Sequence, residues 1–134
     1  MSFAGVNYLA IVVAAAAGFL FGGIYYRLVS NHWLKASGVK KSAVKGHPVN
    51  LYVITIVAEL IMAWMLAGIL AHLGPVTFKN GVISGALVWL GFVATTIAVN
   101  NGFGMRKPML SVIDGAHWLG VLLIMGAVLG AFGV

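Results

Sequence analysis

VNLYVITIVAELIMAWMLAGILAHL, residues Val49–Leu73, is apolar along its whole length apart from a single acid near its middle, Glu59. As a helix rising ~1.5 Å per residue, the stretch spans about 37 Å, enough to cross a bilayer core of ~30 Å with some tilt. Counted from Val49, Glu59 lies about 15 Å deep, near the midplane. A carboxyl group at that depth costs on the order of 2.5–3.5 kcal/mol on insertion scales and calls for compensation. The stretch therefore marks a membrane-spanning chain, and Glu59 is the residue its function has to explain.

The rest of the composition agrees. Hydrophobic residues make up 62% of the 134 and charged residues only 7%, against about a quarter charged in a soluble domain. Three further apolar segments accompany the first, so that four helices are expected at about Asn7–Val29, Val49–Leu73, Val82–Val99 and Leu110–Val134. Joined by short connections they form an all-α antiparallel bundle, a polytopic membrane protein read as a single domain over residues 1–134. The N-terminus MSFAGVNY carries no basic stretch, so a cleaved signal peptide is not expected. Cysteine is absent, which excludes disulfides and thiolate metal sites.

The net charge of +6 does not point to nucleic acid, because the basic residues fill short gaps between apolar segments. Arg27, Lys35, Lys40, Lys41 and Lys45 belong to the first loop and its approach, Arg106 and Lys107 to the third, and the second holds only Lys79. This asymmetry places loops one and three in the cytoplasm and both termini outside. Lys40, Lys41 and Lys45 are the residues expected to meet anionic lipid headgroups, and Ser30–Lys35 reads as an interfacial segment with Trp33 at headgroup depth.

Small residues mark where helices touch. Ala14, Gly18 and Gly22 recur every four residues in the first helix; Gly81, Ser84, Gly85, Gly91 and Thr95 share one broad face of the third; the fourth has Gly126 and Gly130. In lipid, burying apolar area gives little drive for association, so close backbone approach along such ridges matters more. Packing within one chain is favoured over packing between chains, and a homo-oligomer is expected because so small a bundle leaves little room for a transport site.

The only two acids, Glu59 and Asp114, both fall inside helices. Thr55, one turn before Glu59, is placed to bond its carboxyl group, and His117 follows Asp114 by three residues on one helix face. Arg27 and Arg106 stand at the boundary as expected partners of Asp114, with His117 deeper and Glu59 deepest. A polar ladder that stops halfway favours a pocket facing the cytoplasm over an open conduit. Glu59, His117, Asp114 and Thr55 are thus the candidate intramembrane site, with Arg27 and Arg106 as boundary cations. His32, His47, His72 and His117 have no metal-ligand spacing, no cofactor motif occurs, and no phosphate loop, nucleophile motif or catalytic carboxylate pair appears, which argues against an enzyme. Two function classes remain: binding or proton-linked transport of a small solute at the polar site, and a non-catalytic accessory or assembly subunit in which the polar groups only pin helix register.

NYLAIVVAA near the N-terminus, Gly22 and Tyr26, and the run WLGFVATTIAVNNGFGMRKP together carry a resemblance. Through Asn7, Tyr8, Leu9, Ala10, Gly22, Tyr26, Trp89, Gly91, Phe92, Asn101, Phe103 and Arg106 the chain resembles the bacterial domain of unknown function 1761 family, small four-helix membrane proteins. The resemblance spans nearly the whole chain and implies the same helix count; it implies no activity and no catalytic residues.

Overall fold

In the computed structural model, which describes residues 5–44 and 48–133, every long element is a helix. α1 covers Tyr8–Ser37, α2 Val49–Leu73, α3 Phe78–Phe103 and α4 Pro108–Phe132, and a 3-10 turn, Lys41–Ala43, follows α1. All four are long and apolar enough to cross a membrane, and they run antiparallel in turn.

Local chemistry sets the ends. Asn7 Oδ1 accepts from Ala10 N at 3.1 Å to start α1, and Thr77 Oγ1 accepts from Asn80 N at 3.1 Å to start α3. Both are side-chain caps that satisfy amides with no partner inside the helix. Pro48 stands just before α2, and Pro108 occupies the first turn of α4, where its missing N–H costs nothing.

The largest departure from the sequence expectation is α1, which runs on past Val29 to Ser37 and makes the supposed interfacial segment Ser30–Lys35 part of the helix. No breaker occurs there before Gly38, whose φ of 73° ends the helix in the left-handed conformation. The extension is also held from outside. Ala36 is buried against Leu110 and Ile113 of α4. Arg106 Nη1 donates to Ser37 O at 3.4 Å and Lys107 Nζ to Lys35 O at 3.2 Å, two cations on the carbonyls at the negative end of the helix dipole.

α4 is the central helix. α1 and α3 pack along it on separate faces, while α2 lies mainly against α1. The core is built from Ala10 and Ala14 of α1, Ala63, Leu66 and Leu70 of α2, and Leu122, Met125 and Leu129 of α4. The outer faces carry exposed large apolar side chains such as Leu20, Ile54, Leu90 and Phe92, as lipid-facing surfaces do.

α3 and α4 touch backbone to backbone. A Cβ on Gly81 would collide with the carbonyl of Gly126, one on Gly85 with that of Leu122, and one on Gly130 with that of Thr77. The ridges in α3 and α4 therefore pack inside one chain. Gly91 and Thr95, however, are exposed, against the expectation of one continuous face. Between Gly85 and Thr95 the helix passes through a π-helical turn, Trp89–Ala94. Its wider i→i+5 bonding absorbs an extra residue, so the faces before and after it do not align.

Candidate functional site

Polar side chains collect at two levels of the bundle, and they differ in kind. The deeper is Glu59. It sits midway along α2, is 1% exposed, and neither carboxyl oxygen has a hydrogen-bond partner. Thr55 does not reach it, because its hydroxyl donates to Leu51 O of its own helix at 2.8 Å. His117 makes no hydrogen bond to it either, since both carboxyl oxygens are unpartnered. What Glu59 meets is the small-residue ridge of α1: a Cβ on Gly18 would stand 2.9 Å from Glu59 Oε1, with Val121 and Met125 of α4 beside it. The expectation that Thr55 bonds the Glu59 carboxyl group is corrected. The side chain fits into the space that a missing Cβ leaves on α1.

One turn further along the same ridge, Gly22 makes room for His117. A Cβ there would come within 2.7 Å of Nε2. His117 is 6% exposed and its Nδ1 has no partner. Its ring is enclosed by aromatics, with centroids of Trp118 at 4.6 Å, Tyr26 at 4.7 Å, Tyr25 at 5.7 Å and Phe21 at 6.3 Å. His32 and His72 lie elsewhere, the first exposed on the last turns of α1 and the second bonded to Gly68 O; His47 lies outside the described residues.

The upper level is Asp114. Tyr26 Oη donates to its Oδ1 at 2.6 Å, and the neighbouring Tyr25 donates to Ile113 O at 2.7 Å. Two adjacent tyrosines of α1 thus clamp adjacent residues of α4. The expected arginine partner is absent: Arg27 is exposed on α1, and Arg106 is drawn to the end of α1 at Ser37 O. Hydroxyl donation replaces an ion pair and leaves the carboxylate without a countercharge among the described residues.

Asp114 faces a cleft of about 930 Å³ at the basic end of the bundle, into which all four helices contribute. α1 supplies Tyr26, Asn31 and Trp33, α3 supplies Thr96, Asn100 and Asn101, α4 adds Trp118, and Lys41 of the 3-10 turn completes the wall. Asn101 Nδ2 also donates to Ser111 Oγ at 3.1 Å, tying the end of α3 to α4. Deeper in, Trp89 Nε1, the first residue of the π-helical turn, donates to Gly115 O at 2.8 Å. Glu59 and Thr55 are not in the cleft wall. Of the four expected site residues, then, Asp114 alone lines the cleft, His117 is walled off behind the aromatic rings, Glu59 is buried, and Thr55 is turned to its own backbone.

Sequence reasoning missed Tyr26, Asn100, Asn101 and Trp118. The signal it had was the polar pairs Tyr25-Tyr26 and Asn100-Asn101 near helix ends, which carry no charge and drew no weight. Tyr26, Trp89, Asn101 and Arg106, to which the resemblance assigns no role, each make a side-chain hydrogen bond between elements.

The family model described as Protein of unknown function (DUF1761) matches residues 9–130. The chain belongs to the DUF1761 family. Neither the curated proteins nor the solved structures contain a match to it. The match takes in the whole of the cleft wall on α1, α3 and α4, so what this DUF1761 chain does has to be argued from the cleft itself.

Proposed function

We propose that this membrane protein binds a small polar solute in the cleft, with Asp114 as the charged recognition group. The observation that supports it is a carboxylate without a countercharge at the wall of a space of about 930 Å³, large enough for a small ligand. All four helices of one chain contribute to its wall. The small-residue ridges, which an accessory subunit would need for docking, are used inside the chain at Gly18, Gly22, Gly81, Gly85, Gly126 and Gly130, and this favours the solute-binding reading.

In this reading the protein lies in a bacterial cytoplasmic membrane with the cleft open towards the cytoplasm. The cluster of Lys35, Lys40, Lys41, Arg106 and Lys107 at the cleft end supports that orientation. Lys40 and Lys41 are exposed there, placed for anionic lipid headgroups; Lys45 lies outside the described residues.

The absence of native cysteine makes thiol labelling the direct test. Thr96→Cys and Ser30→Cys, in the cleft wall, are expected to react with a membrane-impermeant thiosulfonate in inside-out vesicles and not in right-side-out vesicles. Val121→Cys, in the core, is expected to stay unlabelled in both. Cleft positions as inert as Val121 would remove the solute site, and labelling from the outer side would reverse the orientation. A proton-linked version would need Glu59 as well. If it takes part, Glu59→Gln abolishes coupled uptake while the protein still inserts; if Glu59 only fills the space over Gly18, the same change leaves the labelling pattern and stability within about 1 kcal/mol of the parent.

A further inference from the structure

We propose that the cleft takes an organic cation, a substituted ammonium group lodged between the Asp114 carboxylate and the ring faces of Tyr26, Trp33 and Trp118. The inference rests on the solute-binding reading above and names its ligand class.

Charge decides first. Asp114 is the sole acid in the cleft wall and Lys41 the sole cation, and Lys41 stands on an exposed turn where water screens it. None of the other described cations at this end of the bundle lines the wall, and two of them reach away from it, Arg106 to Ser37 O and Lys107 to Lys35 O. Of the two carboxylate oxygens, Oδ1 accepts from Tyr26, and Oδ2 has no hydrogen bond to any described residue. A carboxylate drawn partly out of water gains most from an incoming positive charge. An anion would meet it with like charge, and a neutral polyol would leave its charge uncompensated.

The rings decide the kind of cation. Three aromatic side chains besides Tyr52 share the wall with Asp114, and the faces of tryptophan and tyrosine attract weakly hydrated ammonium groups. For a bare divalent cation the wall offers one carboxylate beside neutral amide and hydroxyl oxygens, and no group of three or more His, Cys, Asp or Glu able to hold a metal ion occurs among the described residues. The amides of Asn31, Asn100 and Asn101 are available to the polar remainder of the ligand. α1 carries Asn31 and Trp33 beyond Val29, where its apolar run ends, so the ammonium group can arrive on a free amine or on the ethanolamine headgroup of a lipid.

The full chain in nanodiscs of phosphatidylglycerol provides the test, with tryptophan emission as the readout because Trp33 and Trp118 line the cleft. Choline is titrated beside its neutral carbon isostere, 3,3-dimethylbutan-1-ol. Choline is expected to act at a concentration at least about tenfold lower, the scale of a charge-assisted contact. Asp114→Asn is expected to abolish that preference and Asp114→Glu to retain it. Phosphatidylethanolamine added to the disc raises the choline concentration needed if the lipid headgroup is the occupant, and leaves it unchanged if the occupant is a free amine. Equal response to the two probes, no response to choline, or a preference that survives Asp114→Asn overturns the proposal. Should the Asn variant fail to fold, the comparison of the two probes on the parent chain still decides. None of these failures alters thiol reactivity in the cleft, whereas a cleft closed to the thiosulfonate removes the solute site itself.

Discussion

The two halves of α3 belong to one continuous apolar helix and are opposite in what they do. In Phe78–Val88, Gly81, Ser84 and Gly85 are buried and the backbone rests on that of α4. In Thr95–Phe103 no residue is buried, and Thr96, Asn100 and Asn101 line the cleft instead. Both halves are apolar enough to sit in lipid, so hydrophobicity does not separate them. The difference is whether the backbones can touch. Lipid tails solvate leucine as well as another helix does, so α3 stays on α4 only as far as its glycines allow contact. Past the π-helical turn no glycine of α3 rests on α4, polar side chains line the cleft, and Asn101 ties the end of α3 to Ser111.

The strongest way to break this contrast is at the tight end. Gly126→Val puts a side chain where the carbonyl of Gly81 already stands, and backbone on both sides leaves nothing flexible to yield. A loss of about 3 kcal/mol or more is expected, seen as a collapse of the thermal midpoint in detergent. A variant as stable as the parent would mean that α3 and α4 do not meet at these glycines.

A smaller effect is expected at the open end from Tyr26→Phe, which deletes the hydroxyl donated to Asp114 at 2.6 Å. The bond is charge-assisted and partly buried, so about 1.5–3 kcal/mol should be lost. If the tyrosine clamp shapes the cleft, labelling of Thr96→Cys should change in rate as well; lost stability with an unchanged rate would make Tyr26 a strut only. The smallest effect is reserved for Gly91→Ala, where an added Cβ meets nothing within 4 Å. Alanine is the better helix former, so a gain of up to about 1 kcal/mol is expected. A marked loss at this position would show that the outer face of α3 is covered by something other than lipid.

Much of the fold was legible in the sequence because each signal was local. Apolar runs located the four helices, α2 at Val49–Leu73 as expected, and small-residue spacing marked ridges on α3 and α4 that the fold brings together. The candidate site was read less well, and for one reason throughout: charge drew the attention. Glu59 is buried and Asp114 half-buried on the cleft wall, but the partners that sequence spacing and nominal depth suggest for them are not the ones they meet. Thr55 had a carbonyl of its own helix within reach, and Arg106 had the unsatisfied end of α1. The neutral donors Tyr26 and Asn101, which the structure uses, have no distinctive spacing to reveal them.

By itself, the sequence determined that this is a bundle of four membrane-spanning helices, with two acids inside and the basic side chains gathered mainly at one end. Those properties follow from composition and from runs of apolar residues, which depend on no partner. The tertiary structure alone decided that Glu59 is buried while Asp114 faces a cleft. That outcome turns on which helix lies opposite: Gly18 leaves a space that Glu59 fills, and α3, having passed its last buried glycine, stands away from Asp114. Depth along a helix can be counted from sequence, but the neighbour across the interface depends on how the backbones pack, and only the folded bundle sets that.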